Sequence, residues 1–328
     1  MTIQLTIIGL NQIGLSIGLA LKSQTHQLRR VGHDRESSLH GEAEKIGAVD
    51  ETRLQLRDSV TNADMVLICQ PISQSIETLE IIAQDLKPEC VVMDTSSGPA
   101  SFLKAAASLL PENVFFLSFV PAVAPQYLQE STEGFDSAHA DLFKNSTIAI
   151  SSSTNAPSDA IQLATDLASL LGANALYSDP HEISGLLAAS ETLPQLAGAA
   201  LLNAVTTQPG WHEGRKMAGS AFALTSHSFE AQIDRKAQAD SILLEQQNNL
   251  RVLDNYMVSL TQLRELLAKG ESKALEDWLA SAGSAREEWL SARVTRQFEH
   301  SNERIEIPTI GETFGRLLGF RKRKPKSE

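Results

Sequence analysis

Short apolar runs recur through the first 180 residues of the chain, and each has the length of a strand. They are rich in β-branched residues, as is typical of strands buried on both faces of a parallel sheet. Segments with helical spacing of apolar residues separate most of them. This alternation predicts an α/β fold with a doubly wound, mostly parallel sheet. The predicted strands are 5–8, 28–33, 63–69, 90–94, 114–120, 147–150 and 175–177.

After residue 180 the apolar residues recur every three or four positions. This spacing gives helices an apolar stripe that packs against other helices. Residues 181–300 contain no convincing strand, and their clearest helical segments are 186–205, 237–267 and 273–297. We therefore predict a sheet domain at 1–180, an all-α C-terminal domain at 181–300 and a separate tail at 301–328.

The turn after the first predicted strand has the glycine spacing of a Rossmann-type dinucleotide site. Gly9 permits a tight turn, and Gly14 lets the following helix pack closely on the sheet. The first amides of that helix and its positive dipole then face a pyrophosphate. Asp34 follows Gly14 by 20 residues and can bind a ribose hydroxyl. The predicted nucleotide-binding residues are Gly9, Asn11, Gln12, Ile13, Gly14, Asp34, Arg35, Gln70 and Pro71.

Asn11 departs from this fingerprint, because the middle position of G-x-G-x-x-G is normally a glycine that lets the backbone approach the pyrophosphate. Asn tolerates a left-handed backbone, so the turn can survive. We expect its side chain to crowd the phosphates and to weaken binding. A Rossmann-like domain that no longer binds tightly is the alternative. Asp34 favours NAD, whereas the neighbouring Arg35 can hold the 2′-phosphate of NADP, so the choice of cofactor stays open.

Charge and cysteine content exclude several classes of protein. The formal net charge is −12, and an acidic body does not suit nucleic-acid binding. The two cysteines, Cys69 and Cys90, lie in apolar runs and form neither a disulfide framework nor a zinc cluster, so no metal site is predicted. No charged leader and no transmembrane-length apolar run occur, which leads us to expect a cytoplasmic protein.

The tail is basic, with six Lys/Arg against two Glu in residues 311–328. Its apolar residues lie among these charges: Phe314, Leu317, Leu318 and Phe320. A basic amphipathic stretch can contact an anionic membrane surface. More often such an end is solvated, and we favour that interpretation.

The order of several motifs resembles that of the prephenate/arogenate dehydrogenase family from residue 3 to about 300. The motifs are the glycine turn, an Asp94-x-x-Ser97 loop, Gly172-Ala173, Asp179-Pro180, Leu193-Pro194 and 210–218. The resemblance implies oxidative decarboxylation of a cyclohexadienol to an aromatic product in tyrosine biosynthesis. It also implies NAD(P) as hydride acceptor, a substrate-binding helical domain and a homodimer built on that domain.

The sequence departs from the family where the catalytic residues are expected. The family's catalytic His-Pro pair is Val120-Pro121 here. Its Ser-His-Leu-Pro-His motif lacks both histidines here and contains Glu191 instead. Ser97 is retained, and the resemblance implies that it orients the base and the substrate hydroxyl. The resemblance also implies an arginine that binds a substrate carboxylate in this region, and we align Arg215 with it, with Lys216 beside it.

Glu191 is the candidate base, since a carboxylate in a partly dry cleft can have a raised pKa. The alternative is a surface Glu, exposed or paired with Arg215 or Lys216. The eight histidines, His40 among them, are expected at the surface rather than as substitute bases. Two functions follow: an NAD(P)-dependent dehydrogenase that is impaired or has a shifted substrate, or a non-catalytic dinucleotide-binding homodimer. Other Rossmann reductases fit the motifs poorly.

Overall fold

The computed structural model describes residues 2–24, 27–96, 98–130, 134–152, 156–229 and 234–296. Ser97 and the basic tail, for which predictions were made from the sequence, lie outside the described residues. The chain divides into two compact units. One contains the described residues up to Pro180 together with residues 286–296, and the other contains the described residues of His181–Ala285.

An eight-stranded sheet forms the centre of the first unit, in the order β3-β2-β1-β4-β5-β6-β7-β8. Neighbouring strands are parallel except β6 and β7, which are antiparallel. The predicted doubly wound, mostly parallel sheet is therefore confirmed. The strands are β1 Ile3–Ile8, β2 Leu28–His33, β3 Glu51–Thr52, β4 Met65–Ile68, β5 Val91–Asp94, β6 Phe115–Pro121, β7 Thr147–Ser152 and β8 Asn174–Tyr177.

Successive side chains of the strands point into two core layers, as expected of a sheet covered on both faces. Ile7 of β1 packs in one layer with residues of the first, second and sixth helices. Ile8 packs in the other with residues of the third, fourth and fifth. These helices are α1 Gln12–Ala20, α2 Ser38–Ile46, α3 Leu56–Val60, α4 Ile72–Ile82, α5 Ala100–Leu109 and α6 Ser158–Leu170.

From Pro180 to Thr295 every regular element that the structure describes is helical, which confirms the all-α prediction. No described helix is both long and apolar enough to cross a membrane. A π-helical turn at Ala188–Thr192 joins the first two helices of this segment. The helices are α7 Pro180–Leu187, α8 Leu193–Thr206, α9 Trp211–Gly214, α10 Ser220–Ser226, α11 Arg235–Leu244, α12 Gln246–Lys269 and α13 Ser272–Thr295.

Candidate functional site

The turn between β1 and α1 can be built only with glycine at two positions. Gly9 has φ +98°, and a Cβ there would lie 2.3 Å from the carbonyl oxygen of Cys69. A Cβ on Gly14 would lie 2.1 Å from the carbonyl oxygen of Gly9. Both distances are shorter than any van der Waals contact, so the glycines allow β1, β4 and the start of α1 to approach one another.

Asn11 caps α1. Its φ is −90°, so the turn does not need the left-handed backbone that asparagine tolerates. The side-chain Oδ1 accepts a hydrogen bond from the Gly14 amide at 3.1 Å, and Nδ2 donates to the Cys69 carbonyl at 2.6 Å. An asparagine at the N-cap satisfies one of the helix's first amides in this way. The amides of Gln12 and Ile13 have no acceptor within the helix and remain available to an anion.

A long segment after β6 is attached to α1. The Gln12 side chain donates to the Ser137 carbonyl at 3.0 Å, and the His139 amide donates to Ser16 Oγ at 3.1 Å. Tyr127 stacks on His139 with ring centroids 4.3 Å apart. These contacts hold the segment beside the first turns of the candidate nucleotide-binding helix.

Asp34 lies at the end of β2 and is half-buried. Its Oδ2 accepts the Leu10 amide at 2.8 Å and its Oδ1 accepts the Glu36 amide at 2.9 Å. The carboxylate thus ties the glycine turn to β2 at the position where a ribose would bind. His40 is buried against this loop, with Nε2 2.9 Å from the Asp34 carbonyl oxygen, so the expectation that His40 is exposed is wrong.

The remaining predicted nucleotide-binding residues lie on neighbouring loops. Arg35 is exposed and forms an ion pair with Glu77 of α4 at 2.6 Å. The Oε1 atom of Gln70 accepts a hydrogen bond from the Thr78 hydroxyl at 2.8 Å. Pro71 is the N-cap residue of α4. The turn after β1 and the loops after β2 and β4 therefore contribute to the carboxyl edge of the sheet, where ligands of doubly wound folds bind.

Asp94 is a candidate functional residue that the site prediction omitted. It ends β5, and only 1% of its surface is exposed. Oδ1 accepts hydrogen bonds from the Ser96 amide at 2.8 Å and from the Ser96 hydroxyl. Burial raises the pKa of Asp94 to about 6, and donors on Ser75 and Ser96 oppose the rise. A charged residue that closes the apolar run 90–93 was the available sequence signal.

Val120 is the residue that the family resemblance aligns with the catalytic histidine. It is half-buried in β6 and lies opposite Ala149 of β7. An isopropyl side chain can neither accept nor donate a proton. Catalysis by this chain therefore needs a proton acceptor at another position.

Arg293 is a second functional candidate that local sequence patterns could not indicate. It lies in the last turn of α13 and donates a hydrogen bond to the carbonyl of Val123, just beyond β6. The two residues are 170 positions apart in the sequence. A guanidinium at this edge of the sheet can bind a carboxylate through two parallel hydrogen bonds.

The candidate base Glu191 and the substrate-binding candidates Arg215 and Lys216 are exposed residues of the helical unit. Glu191 lies in the π-helical turn, a geometry that is frequent at functional sites. Lys216 forms an ion pair with Glu213 at 2.6 Å. Their roles toward a substrate stay predictions.

Comparison with known proteins agrees with this architecture. The model of the prephenate dehydrogenase nucleotide-binding domain matches residues 17–177. A cyclohexadienyl dehydrogenase from Zymomonas mobilis is 24% identical over 286 residues, which are 86% of this chain and 94% of the relative.

Two solved structures share the fold over most of the chain. Prephenate dehydrogenase from A. aeolicus, solved with hydroxyphenyl propionate and NAD+, has a TM-score of 0.75 and 17% identity, covering 88% of this chain and 98% of its own. Synechocystis arogenate dehydrogenase has a TM-score of 0.67 and 22% identity, covering 88% of this chain and 100% of its own. The domain match, the relative that aligns along most of the chain and the shared fold all agree with the resemblance to the prephenate/arogenate dehydrogenase family.

Proposed function

We propose that this protein is an NAD(P)-dependent dehydrogenase that oxidatively decarboxylates a cyclohexadienol of the prephenate or arogenate type. The observation that carries the proposal is the glycine turn between β1 and α1, with Asp34 attached to it through the Leu10 amide at 2.8 Å. The cyclohexadienyl dehydrogenase relative supports the choice of substrate class, since 94% of its length aligns with this chain.

The residues around the turn suit a dinucleotide. The Gln12 and Ile13 amides can bind the pyrophosphate, and the Asp34 carboxylate can accept a ribose hydroxyl while keeping its backbone hydrogen bonds. When bound, the oxidised nicotinamide supplies the hydride acceptor. Arg215 and Arg293 are the candidates for binding a substrate carboxylate, which would hold the reacting carbon in place during oxidation.

Val120 makes slow turnover of prephenate part of the proposal. A positioned general base contributes about 10²–10⁴-fold to rate, and valine contributes none of this. Glu191 adds a negative charge, which opposes a substrate with two carboxylates. Arogenate carries an ammonium group beside one of its carboxylates, so a neighbouring glutamate opposes it less. We therefore expect arogenate, or another amine-bearing substrate, to be preferred over prephenate.

A steady-state assay tests the proposal with both substrates and both nucleotides. The proteins are wild type, Val120→His and the double variant Val120→His/Glu191→His. We expect slow turnover by wild type with arogenate preferred, and a gain in prephenate turnover in the double variant. Rapid prephenate turnover by wild type would contradict the predicted impairment. No reduced nucleotide from any of the three proteins would contradict the proposed activity.

A non-catalytic dinucleotide-binding homodimer is the second candidate, and the valine at position 120 favours it. The same assay separates the two functions. A protein that binds NAD+ but gives no reduced nucleotide, even as the double variant, supports the non-catalytic role.

A further inference from the structure

Asp94 is an ionisable residue buried at the end of β5. A carboxyl group that is 1% exposed loses most of its hydration, and the usual compensation is a cation. Burial raises the pKa of this carboxyl, and the hydrogen-bond donors of Ser75 and Ser96 lower it. No cation among the described residues lowers this pKa further. Oδ2 is buried and has no hydrogen-bond partner in the described part of the chain. A group held in this way destabilises the fold when ionised, which points to a functional reason for its presence.

The position of Asp94 relates it to the nucleotide turn. Asp94 pairs in register with Ile68 of β4, and the next residue, Cys69, contacts Asn11 at the turn. One strand thus separates β5 from β1, a distance of about 10 Å at about 4.8 Å per strand. The strand order reverses between β1 and β4. In doubly wound folds the two halves of a dinucleotide bind on either side of such a switch point. The Asp34 carboxylate, which is expected to bind the adenosine ribose, follows β2. The nicotinamide half of the dinucleotide is therefore expected on the side of β4 and β5.

Ser96 connects the buried carboxyl to the surface of the loop. Its hydroxyl donates to Asp94 Oδ1, and its side chain is half-buried rather than enclosed. The Ser75 hydroxyl of α4 favours the charged carboxylate, although it does not approach Oδ2 closely enough to hydrogen-bond to it. Cys69, the residue after β4, also lies near the carboxyl, and burial raises the pKa of that thiol to about 12, so the thiol stays neutral. The Ser96 hydroxyl can therefore accept a proton on one side while it donates on the other.

We propose that Ser96 and Asp94 form a two-residue proton relay that acts as a weaker base than the histidine absent at Val120. The inference rests on the proposed dehydrogenase function. Ser96 Oγ accepts the proton of the substrate hydroxyl and passes its own proton to Asp94 Oδ1, while the hydride leaves for the oxidised nicotinamide. The bond between the ring and its carboxylate then breaks, CO₂ departs, and its electron pair makes the ring aromatic. The product oxygen takes the proton back through Ser96, so the relay ends as it began. Ser96 is the catalytic residue and Asp94 acts through it.

The test is the pH profile of kcat with arogenate and NAD+ for wild type, Asp94→Asn and Ser96→Ala. In wild type kcat rises as the pH passes the pKa of Asp94, which lies at about 6, because the carboxylate must be ionised to accept the proton. In both variants kcat is expected to fall about 10²-fold or more and to show no such rise with pH, while the Kd for NAD+ stays unchanged.

Asp166 offers a matched control, because it is also 1% exposed with an Oδ2 that lacks a described partner, but it lies on α6. Asp166→Asn should leave kcat and its pH profile unchanged. Turnover by wild type together with an unaltered profile in Asp94→Asn would overturn the relay and leave the proposed function standing. Absence of turnover in wild type would overturn the proposed function and the relay with it.

Discussion

At the scale of single residues, Asn11 combines two structural tasks. Its Oδ1 satisfies the Gly14 amide at 3.1 Å and its Nδ2 holds the Cys69 carbonyl at 2.6 Å. A glycine at this position, as the dinucleotide fingerprint prefers, could do neither. The departure from the fingerprint is therefore compatible with an ordered turn, because the two hydrogen bonds of the Asn11 side chain hold the backbone that a glycine would leave flexible.

Substitution of Asn11 separates its stabilising role from its effect on the nucleotide. Asn11→Ala should lower the free energy of unfolding by about 0.5–2 kcal/mol, since the cap is lost. Asn11→Gly should cost only a few tenths of a kcal/mol and bind NAD+ more tightly, because no side chain stands near the pyrophosphate. Urea denaturation and calorimetric titration measure the two effects. Equal stability of Asn11→Ala and wild type would contradict the capping account.

Asp94 should impose a pH dependence on stability. Its pKa rises from 3.8 to about 6 on folding, so the folded state holds the proton more tightly. The protonated carboxyl of Asp94 therefore stabilises the fold fully below pH 3.8, and this stabilisation is lost as the pH rises to about 6. Relative to wild type, Asp94→Asn should therefore gain up to about 3 kcal/mol in free energy of unfolding between pH 4 and pH 7. Urea denaturation at the two pH values checks this, and a constant difference between the proteins would contradict it.

At the scale of elements, the sequence predicts strands better than it predicts their directions. The apolar runs locate β1, β2, β4 and β5 because burial on both faces leaves a continuous hydrophobic signal. They miss β3, since Glu51–Thr52 is a half-buried pair without apolar residues. The antiparallel direction of β7 is also invisible, because alternation and hydrophobicity are the same in either direction.

Site residues follow the same division. The glycine turn was predictable because its backbone demands particular residues. The sequence does not predict that His40 and Asp94 are buried, or that Arg293 contacts the carbonyl of Val123. These features depend on which segments the fold brings together. Local sequence patterns carry no information about contacts across 170 residues.

The ion pair between the loop after β2 and helix α4 should influence the choice of cofactor. Arg35 follows Asp34, whose carboxylate is expected to bind the ribose, but the Arg35 guanidinium forms an ion pair with Glu77 at 2.6 Å. A 2′-phosphate must therefore compete with that glutamate for Arg35. Glu77→Gln should therefore tighten NADP+ binding several-fold and leave NAD+ binding nearly unchanged. Glu80→Gln, another exposed substitution on α4, is the control. Calorimetric titration with both nucleotides measures the ratio, and an unchanged ratio in Glu77→Gln would refute the competition.

At the scale of the whole molecule, the helical unit exposes several large apolar side chains on its long helix α12. Several apolar residues of α12 are 45–60% exposed: Leu250, Met257, Val258, Leu260 and Leu267. A contiguous apolar helix face is typical of an interface between subunits.

We propose that the protein is a homodimer with a two-fold axis through this region. Light scattering should give a dimer at micromolar concentration. Met257→Glu should shift the population toward monomer, because it places a charge in the apolar face. Glu276→Gln on α13 changes an exposed charged residue and should leave the dimer intact. A monomer in wild type would contradict the proposal.

The central claim is that the turn at Gly9–Gly14, with Asp34 beside it, forms a working dinucleotide site despite Asn11. Calorimetric titration of wild-type protein with NAD+ and with NADP+ tests this most directly, since it depends on neither substrate nor turnover. The account predicts saturable binding of one NAD+ per chain, tighter than that of NADP+, because the Asp34 carboxylate accepts ribose hydroxyls and repels a 2′-phosphate. A folded protein that gives no binding heat with either nucleotide would contradict it.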